Sequence, residues 1–285
     1  MADTKKAKTY EEQMQILFQH GCHIANPADC INKLSLINYY RLSAYFLPFR
    51  KNSKEYQEGT SFDQVFQIYK FDRKLRSILF GITEVIEISL RTRLSYLHAH
   101  QYGPLGYLEA QNFSTHHDHV KFINHLKHEL QRNAKLPMVI HHNQKYNGKF
   151  PIWVVSELFT FGMSSYFYND LYTRDQKIIA KQYQSNYKDL ASWLRCLTDL
   201  RNICAHFGRL YYRIFSASPA NIPLSEHDKR KLWGLMLVLK RVYPSKSQWE
   251  SEILPSLAQL FNDYHHIINL DHLSFPNDWT QQLAI

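Results

Sequence analysis

Glycine is scarce: 9 of 285 residues, with no G-x-G-x-x-G, G-x-x-x-x-G-K-[ST] or G-x-S-x-G among them. Those patterns let a backbone wrap a phosphate or expose a nucleophilic serine, so dinucleotide-binding, P-loop and α/β-hydrolase readings fall away. Cysteine is scarce too. Cys22, Cys30, Cys196 and Cys204 form no C-x-x-C, and the polar, basic stretch from Met1 to Lys8 is no secretory leader, so a reducing, cytoplasmic setting is expected. The longest uncharged apolar run, Leu232 to Leu239, falls far short of the ~18 residues that span a bilayer, so no membrane is expected. Acids are outnumbered, 25 to 34 bases, giving +9 before any of the 16 histidines is protonated. That surplus favours polyanions, because each neutralised phosphate releases condensed counterions; nucleic acid is the expected partner.

Strand-like alternation of any length is also missing, and the chain reads as helix after helix. Thr9 with Glu12 forms a capping box, Asn26 before Pro27 starts a second helix, and Ser61 with Gln64 opens a third. In this third helix Val65, Ile68, Leu75, Leu79, Ile82, Ile86 and Leu90 mark one apolar stripe, and it is expected to run to about His98 before Gly103-Pro104. Leu36 to Phe49 is aromatic and should pack on the body. Residues 111–149 read as surface connection around one helix near Val120 to Arg132. Pro151 precedes an aromatic helix, Leu190 to about Tyr212 makes the next, and Ser225 and Ser247 cap two more. The expected fold is all-α, with 1–55 as an N-terminal helical segment packed on a 56–215 core, and 216–285 as a C-terminal helical extension.

Drawn as one helix at 100° per residue, Leu190 to Arg213 gathers Arg195, Asn202, His206, Arg209 and Arg213 into a cationic stripe with Asp199. Leu190, Trp193, Leu194, Leu197 and Cys204 lie opposite. Arg201 falls among them, about 200° from Asp199. A guanidinium stripped of water needs partners, so Arg201 should meet a carboxylate such as Glu84 or Glu87 of the long helix, a subunit partner or a phosphate. Asn202 and His206 are i,i+4 neighbours, so the amide could orient the ring. An imidazole that titrates near neutral pH and a nearby guanidinium are the groups metal-free RNA cleavage needs: one moves a proton, the other stabilises charge on phosphorus.

Arg201-Asn202-Ile203-Cys204-Ala205-His206 with Arg209, Leu210 and Arg213 resembles the R-N-x-C-A-H-x-x-R-L-x-x-R signature of the Abi-like family of abortive-infection proteins (AbiD/AbiF type), whose helical core belongs to the HEPN superfamily. The resemblance extends to Asn38 to Ser43, Pro48-Phe49, Gly59 to Phe62, Tyr69, Phe71-Asp72, Leu75-Arg76, Glu84 to Arg91, Pro151, Trp153, Glu157, Phe161-Gly162, Ser165 and Trp193-Leu194. Together these cover roughly residues 10–280. Phe207 and Tyr212 depart from the pattern, which often carries a second histidine and an asparagine there. The resemblance implies a HEPN-like helical bundle and a homodimer that brings two R-x-x-x-x-H helices together. It also implies phage defence and metal-independent endoribonuclease chemistry leaving 2′,3′-cyclic phosphate ends. A structured non-coding RNA encoded nearby is implied as a partner.

On this reading Arg201, His206 and Asn202 form the catalytic set, Arg195, Arg209, Arg213, Tyr40 and Arg41 bind RNA, and no cofactor or metal is needed. The alternative is a protein that binds a structured RNA without cutting it; a third reading is a structural module that regulates another enzyme. Arg93 and His98 repeat the R-x-x-x-x-H spacing, though a basic helix end is favoured by the dipole anyway. His116, His117, His119, His125 and His128 lack any known zinc spacing and read as a solvated loop.

Overall fold

The computed structural model describes residues 6–285, and among them there is no strand, only two isolated bridges. In chain order the helices are α1 (Tyr10–Gln19), α2 (Pro27–Leu36), α3 (Tyr39–Ser43), α4 (Phe62–Tyr102), α5 (His119–Arg132), α6 (Pro137–Tyr146), α7 (Ile152–Val155) and α8 (Phe161–Asp170). They continue with α9 (Thr173–Lys181), α10 (Tyr187–Ala205), α11 (Glu226–Lys229), α12 (Leu232–Val242), α13 (Lys246–Gln248), α14 (Leu254–Asp263) and α15 (Trp279–Leu283). The protein is all-α.

α4 is the spine. Its 41 residues extend about 60 Å, every residue of the expected apolar stripe is buried, and the helix packs against α7, α8, α9, α10, α12 and α14. It passes the expected end at His98 and stops at Gly103, whose φ of 81° suits the residue without a Cβ. α10 lies along α4 and α8 and buries Leu190, Trp193, Leu194, Leu197, Leu200 and Cys204. The thiols of Cys196 and Cys204 are pushed up to about 12 by burial, so both behave as small hydrophobes. α1 and α2 pack on each other, and the loop joining them is tied to the start of α4 by backbone bonds from the His23 amide to the Thr60 carbonyl and from the Phe62 amide to the His23 carbonyl.

Several elements differ from the sequence expectation. The 111–149 stretch holds a second helix, α6, started by Pro137, where a surface connection was expected. The aromatic helix after Pro151 breaks in two, because Thr160 caps α8 afresh by accepting from the Met163 amide. Ser225 caps only the single turn of α11, and Ser245 rather than Ser247 caps the helix that follows. There a π-turn at Trp249–Ile253 leads into Pro255. The histidine stretch is not simply solvated. The side chain of His117 is 2% exposed and bonds the Asp170 carboxylate through Nδ1 at 2.8 Å. Its Nε2 meets His119 Nδ1 at 3.2 Å, and His119 Nε2 reaches the Leu108 carbonyl at 2.9 Å.

Candidate functional site

The expected continuous helix from Leu190 to Tyr212 ends at Ala205. A helix closes well when the first residue past the cap turns left-handed and two amides fold back onto its last carbonyls. Here Phe207 takes a φ of 58°, its amide bonds the Cys204 carbonyl at 3.2 Å, and the Gly208 amide bonds the Ile203 carbonyl at 2.7 Å. A Cβ on Gly208 would lie 3.0 Å from Ile203 Cγ2 and 3.3 Å from its carbonyl oxygen, so glycine is the fitting residue there. The stop leaves His206 as the C-cap residue with its side chain exposed. It also dissolves the straight cationic stripe: Arg209 and Arg213 sit in the loop beyond, off the helix.

That loop is fastened from beneath by α4. Asp72, fully buried, accepts from the Leu210 amide at 3.1 Å, the Tyr211 amide at 2.8 Å and the Tyr45 hydroxyl at 2.6 Å, and pairs with Arg76. Arg76 in turn donates to the Gly208 carbonyl at 3.2 Å, and Arg41 donates to the Phe207 carbonyl. Asp72 and Arg76 are i,i+4 partners on the buried side of α4, two polar residues interrupting an apolar stripe; that interruption was the signal sequence reasoning passed over. Tyr211 completes the anchoring, accepting from the Asn269 amide at 2.9 Å and lying 2.8 Å from His272 Nδ1.

The site residues expected from sequence divide into two groups. Asn202, His206 and Arg213 line one open depression of about 380 Å³ together with Asp199 and Phe215. Arg201 lies on the other side of α10. Its Nε is 3.2 Å from Glu87 Oε2 and its guanidinium carbon 5.8 Å from the centre of the Phe80 ring, while Glu84 is exposed. Glu87 is buried and also pairs with Arg91, so one carboxylate holds two guanidiniums. Arg201 nonetheless keeps 26% of its side chain exposed and reaches back to Asn202 Oδ1 at 3.4 Å. The Asn202 amide therefore meets Arg201, not the His206 ring it was expected to orient.

Among the RNA-binding candidates, Arg195 and Tyr40 are exposed, whereas Arg41 spends a donor on Phe207. Arg209 is largely consumed by the loop itself: it donates to the Tyr211 carbonyl at 2.7 Å and the Tyr212 carbonyl at 3.2 Å, and burial pushes its guanidinium below the usual value. Arg213 donates to the Arg209 carbonyl at 3.3 Å. Lys231, packed over the Tyr212 ring at 5.0 Å, is pushed down by burial and then by Arg209. The second R-x-x-x-x-H spacing makes no half-site, since His98 is 1% exposed among Tyr102, Phe113 and Phe167. Among the described residues, no group of three or more His, Cys, Asp or Glu side chains is placed to hold a metal ion. No helix among them is long and apolar enough to cross a membrane.

The profile of the family described as Abi-like protein matches residues 32–212, more than half of the chain, and the protein belongs to that family. The match spans α4, the whole of α10 and the loop as far as Tyr212. Family membership supports a part in abortive infection, that is, in phage defence. No curated protein and no solved structure matches the chain.

Proposed function

We propose that the protein is an RNA-binding defence factor and a metal-independent endoribonuclease of the HEPN type. The observation that carries this reading is the exposed imidazole of His206, held at a fixed helix end beside Asn202 and Arg213 in an open depression that also holds Asp199. His206 takes the proton of an attacking 2′-hydroxyl or returns one to the leaving 5′-oxygen, and a guanidinium stabilises the charge that builds on phosphorus. The product ends are a 2′,3′-cyclic phosphate and a 5′-hydroxyl. Within one chain Arg201 and His206 occupy different sides of α10, so the complete site requires a homodimer in which the Arg201 of one copy and the His206 of the other meet one phosphodiester. Exposed Arg195, with Arg213, guides the strand.

The experiment is cleavage of total RNA by the purified protein with end-group analysis. His206→Ala should lower cleavage at least 100-fold and leave RNA retention intact, and EDTA should have no effect. Loss of activity on chelation overturns the metal-free mechanism. One observation favours a second reading, a protein that holds a structured non-coding RNA without cutting it: Arg201 is engaged by Glu87 in the way of a structural ion pair. Under that reading His206→Ala leaves RNA binding and the defence phenotype unchanged.

A further inference from the structure

A second depression lies on the Arg201 side of α10 and does not include His206 in its lining. It has a volume of about 660 Å³ and runs between the end of α2, α3, the first half of α4 and the closing turn of α10. Its cations are Arg41, Arg73 and Arg76, and no carboxylate is among its lining residues. Arg76 is neutralised beneath the floor by Asp72, which leaves Arg41 and Arg73. Arg73 is exposed and has no hydrogen bond or ion pair among the described residues; Arg41 spends one of its five N–H donors on the Phe207 carbonyl.

Between the cations stand rings. Tyr69, Phe80 and Phe207 line the groove, and Tyr40, 86% exposed, adjoins Arg41. Phe207 is the telling one. Its φ of 58° is a conformation that glycine adopts at less cost, and its ring is 66% exposed, so no burial offsets that cost. A large ring held in such a backbone, beside the unpartnered Arg73 and the Arg41 guanidinium and in a groove of nucleotide-binding size, fits an occupant with flat faces and regularly spaced negative charges. Unpaired RNA has both; an A-form duplex keeps its base faces stacked out of reach.

We propose that this groove binds an unpaired segment of RNA, with bases against Phe207, Phe80 and Tyr69 and phosphodiesters on Arg73 and Arg41. The proposal rests on the reading of the protein as an RNA binder and adds the substrate class, single-stranded, and the residues that select it. Arg201, beside Phe80, stands where a strand leaving the groove meets the motif helix.

The test is fluorescence anisotropy with a labelled ten-nucleotide single strand of mixed sequence, fully 2′-O-methylated so that it cannot be cut through its 2′-oxygen. Arg73→Glu is compared with Lys188→Glu, the same charge change at an exposed site near the far end of α10. Arg73→Glu should weaken binding at least tenfold in 0.1 M salt and flatten the salt dependence by about one charge, while Lys188→Glu changes it less than threefold. Phe80→Ala should weaken binding severalfold with little change in salt dependence. Equal losses in the two charge variants overturn the groove while leaving RNA binding in place. No binding by the wild type overturns the RNA reading itself. Equal affinity for a duplex of the same length overturns the single-strand assignment, and displacement by polyglutamate with the same dependence on Arg73 overturns RNA in favour of an acidic protein partner.

Discussion

Arg93 to His98 and Arg201 to His206 share one spacing and lie on the two long helices of the core, yet their histidines meet opposite surroundings. His98 sits within α4, 1% exposed, with neither ring nitrogen bonded. His206 caps α10, exposed, beside an open depression. The arginines differ as well: Arg93 stacks on the Tyr183 ring at 4.3 Å, while Arg201 bonds Glu87 and stays partly open to solvent. What separates the two is the end of the helix. A mid-helix histidine on the core side has nowhere to meet a ligand, whereas a left-handed stop one residue after His206 turns the chain away and leaves its ring in the open.

The comparison breaks most severely at the network that fixes this stop. Asp72→Ala leaves Arg76 and two backbone amides unpaired in the core, and should cost about 3–5 kcal/mol in chemical denaturation. His206→Ala, at an exposed site, should change stability by less than about 0.5 kcal/mol. Equal costs would mean that Asp72 does not carry the loop.

Acid sharpens the contrast between the two rings. Burial pushes His98 down from the usual 6.5 to about 4, so the folded chain holds it neutral while the unfolded chain protonates it. Stability should therefore be level above pH 6.5 and fall as pH drops towards 4, by about 3 kcal/mol in all. His98→Leu should remove that part of the slope and His206→Ala should not. A wild-type slope that survives His98→Leu unchanged would reject the burial as its cause.

Glu87→Gln comes next. It removes the charge shared by Arg91 and Arg201, whose side chains are 17% and 26% exposed, so water recovers part of the loss and about 2 kcal/mol is expected. If Arg201 serves the phosphate rather than the fold, this variant should keep RNA binding although its melting temperature falls. Loss of both together would mark Arg201 as structural.

Much of this was legible beforehand. The stripe on α4 placed the core because its period is that of a helix and every member is large and apolar. The position of Arg201 on the apolar side of α10 already required a partner, with Glu84, Glu87, a second subunit or a phosphate as candidates, and Glu87 is the one it meets within the chain. What escaped was the end of α10. Residues 206–213 continue the helical period, and nothing in a periodicity count weighs one glycine against it. Gly208 was the available sign, together with Asp72 and Arg76, whose burial makes sense only once a loop arrives to use them. The groove at Arg73 and Phe80 was illegible for another reason: it is built from three separate segments of the chain between Leu36 and Phe207, and only packing brings them together.

The smallest effect is the one that links stability to binding. Phe207 pays for its left-handed backbone about 1 kcal/mol relative to glycine, and its exposed ring recovers little by packing. Phe207→Gly should therefore raise stability by about 0.5–1 kcal/mol, offset in part by the greater freedom glycine gives the unfolded chain. The same change strips the groove of a stacking face, so the variant should melt later and hold the single strand more weakly. A gain in stability with no loss of binding would leave the ring without a role, and a loss of both would show that Phe207 packs in solution far more closely than its exposure allows.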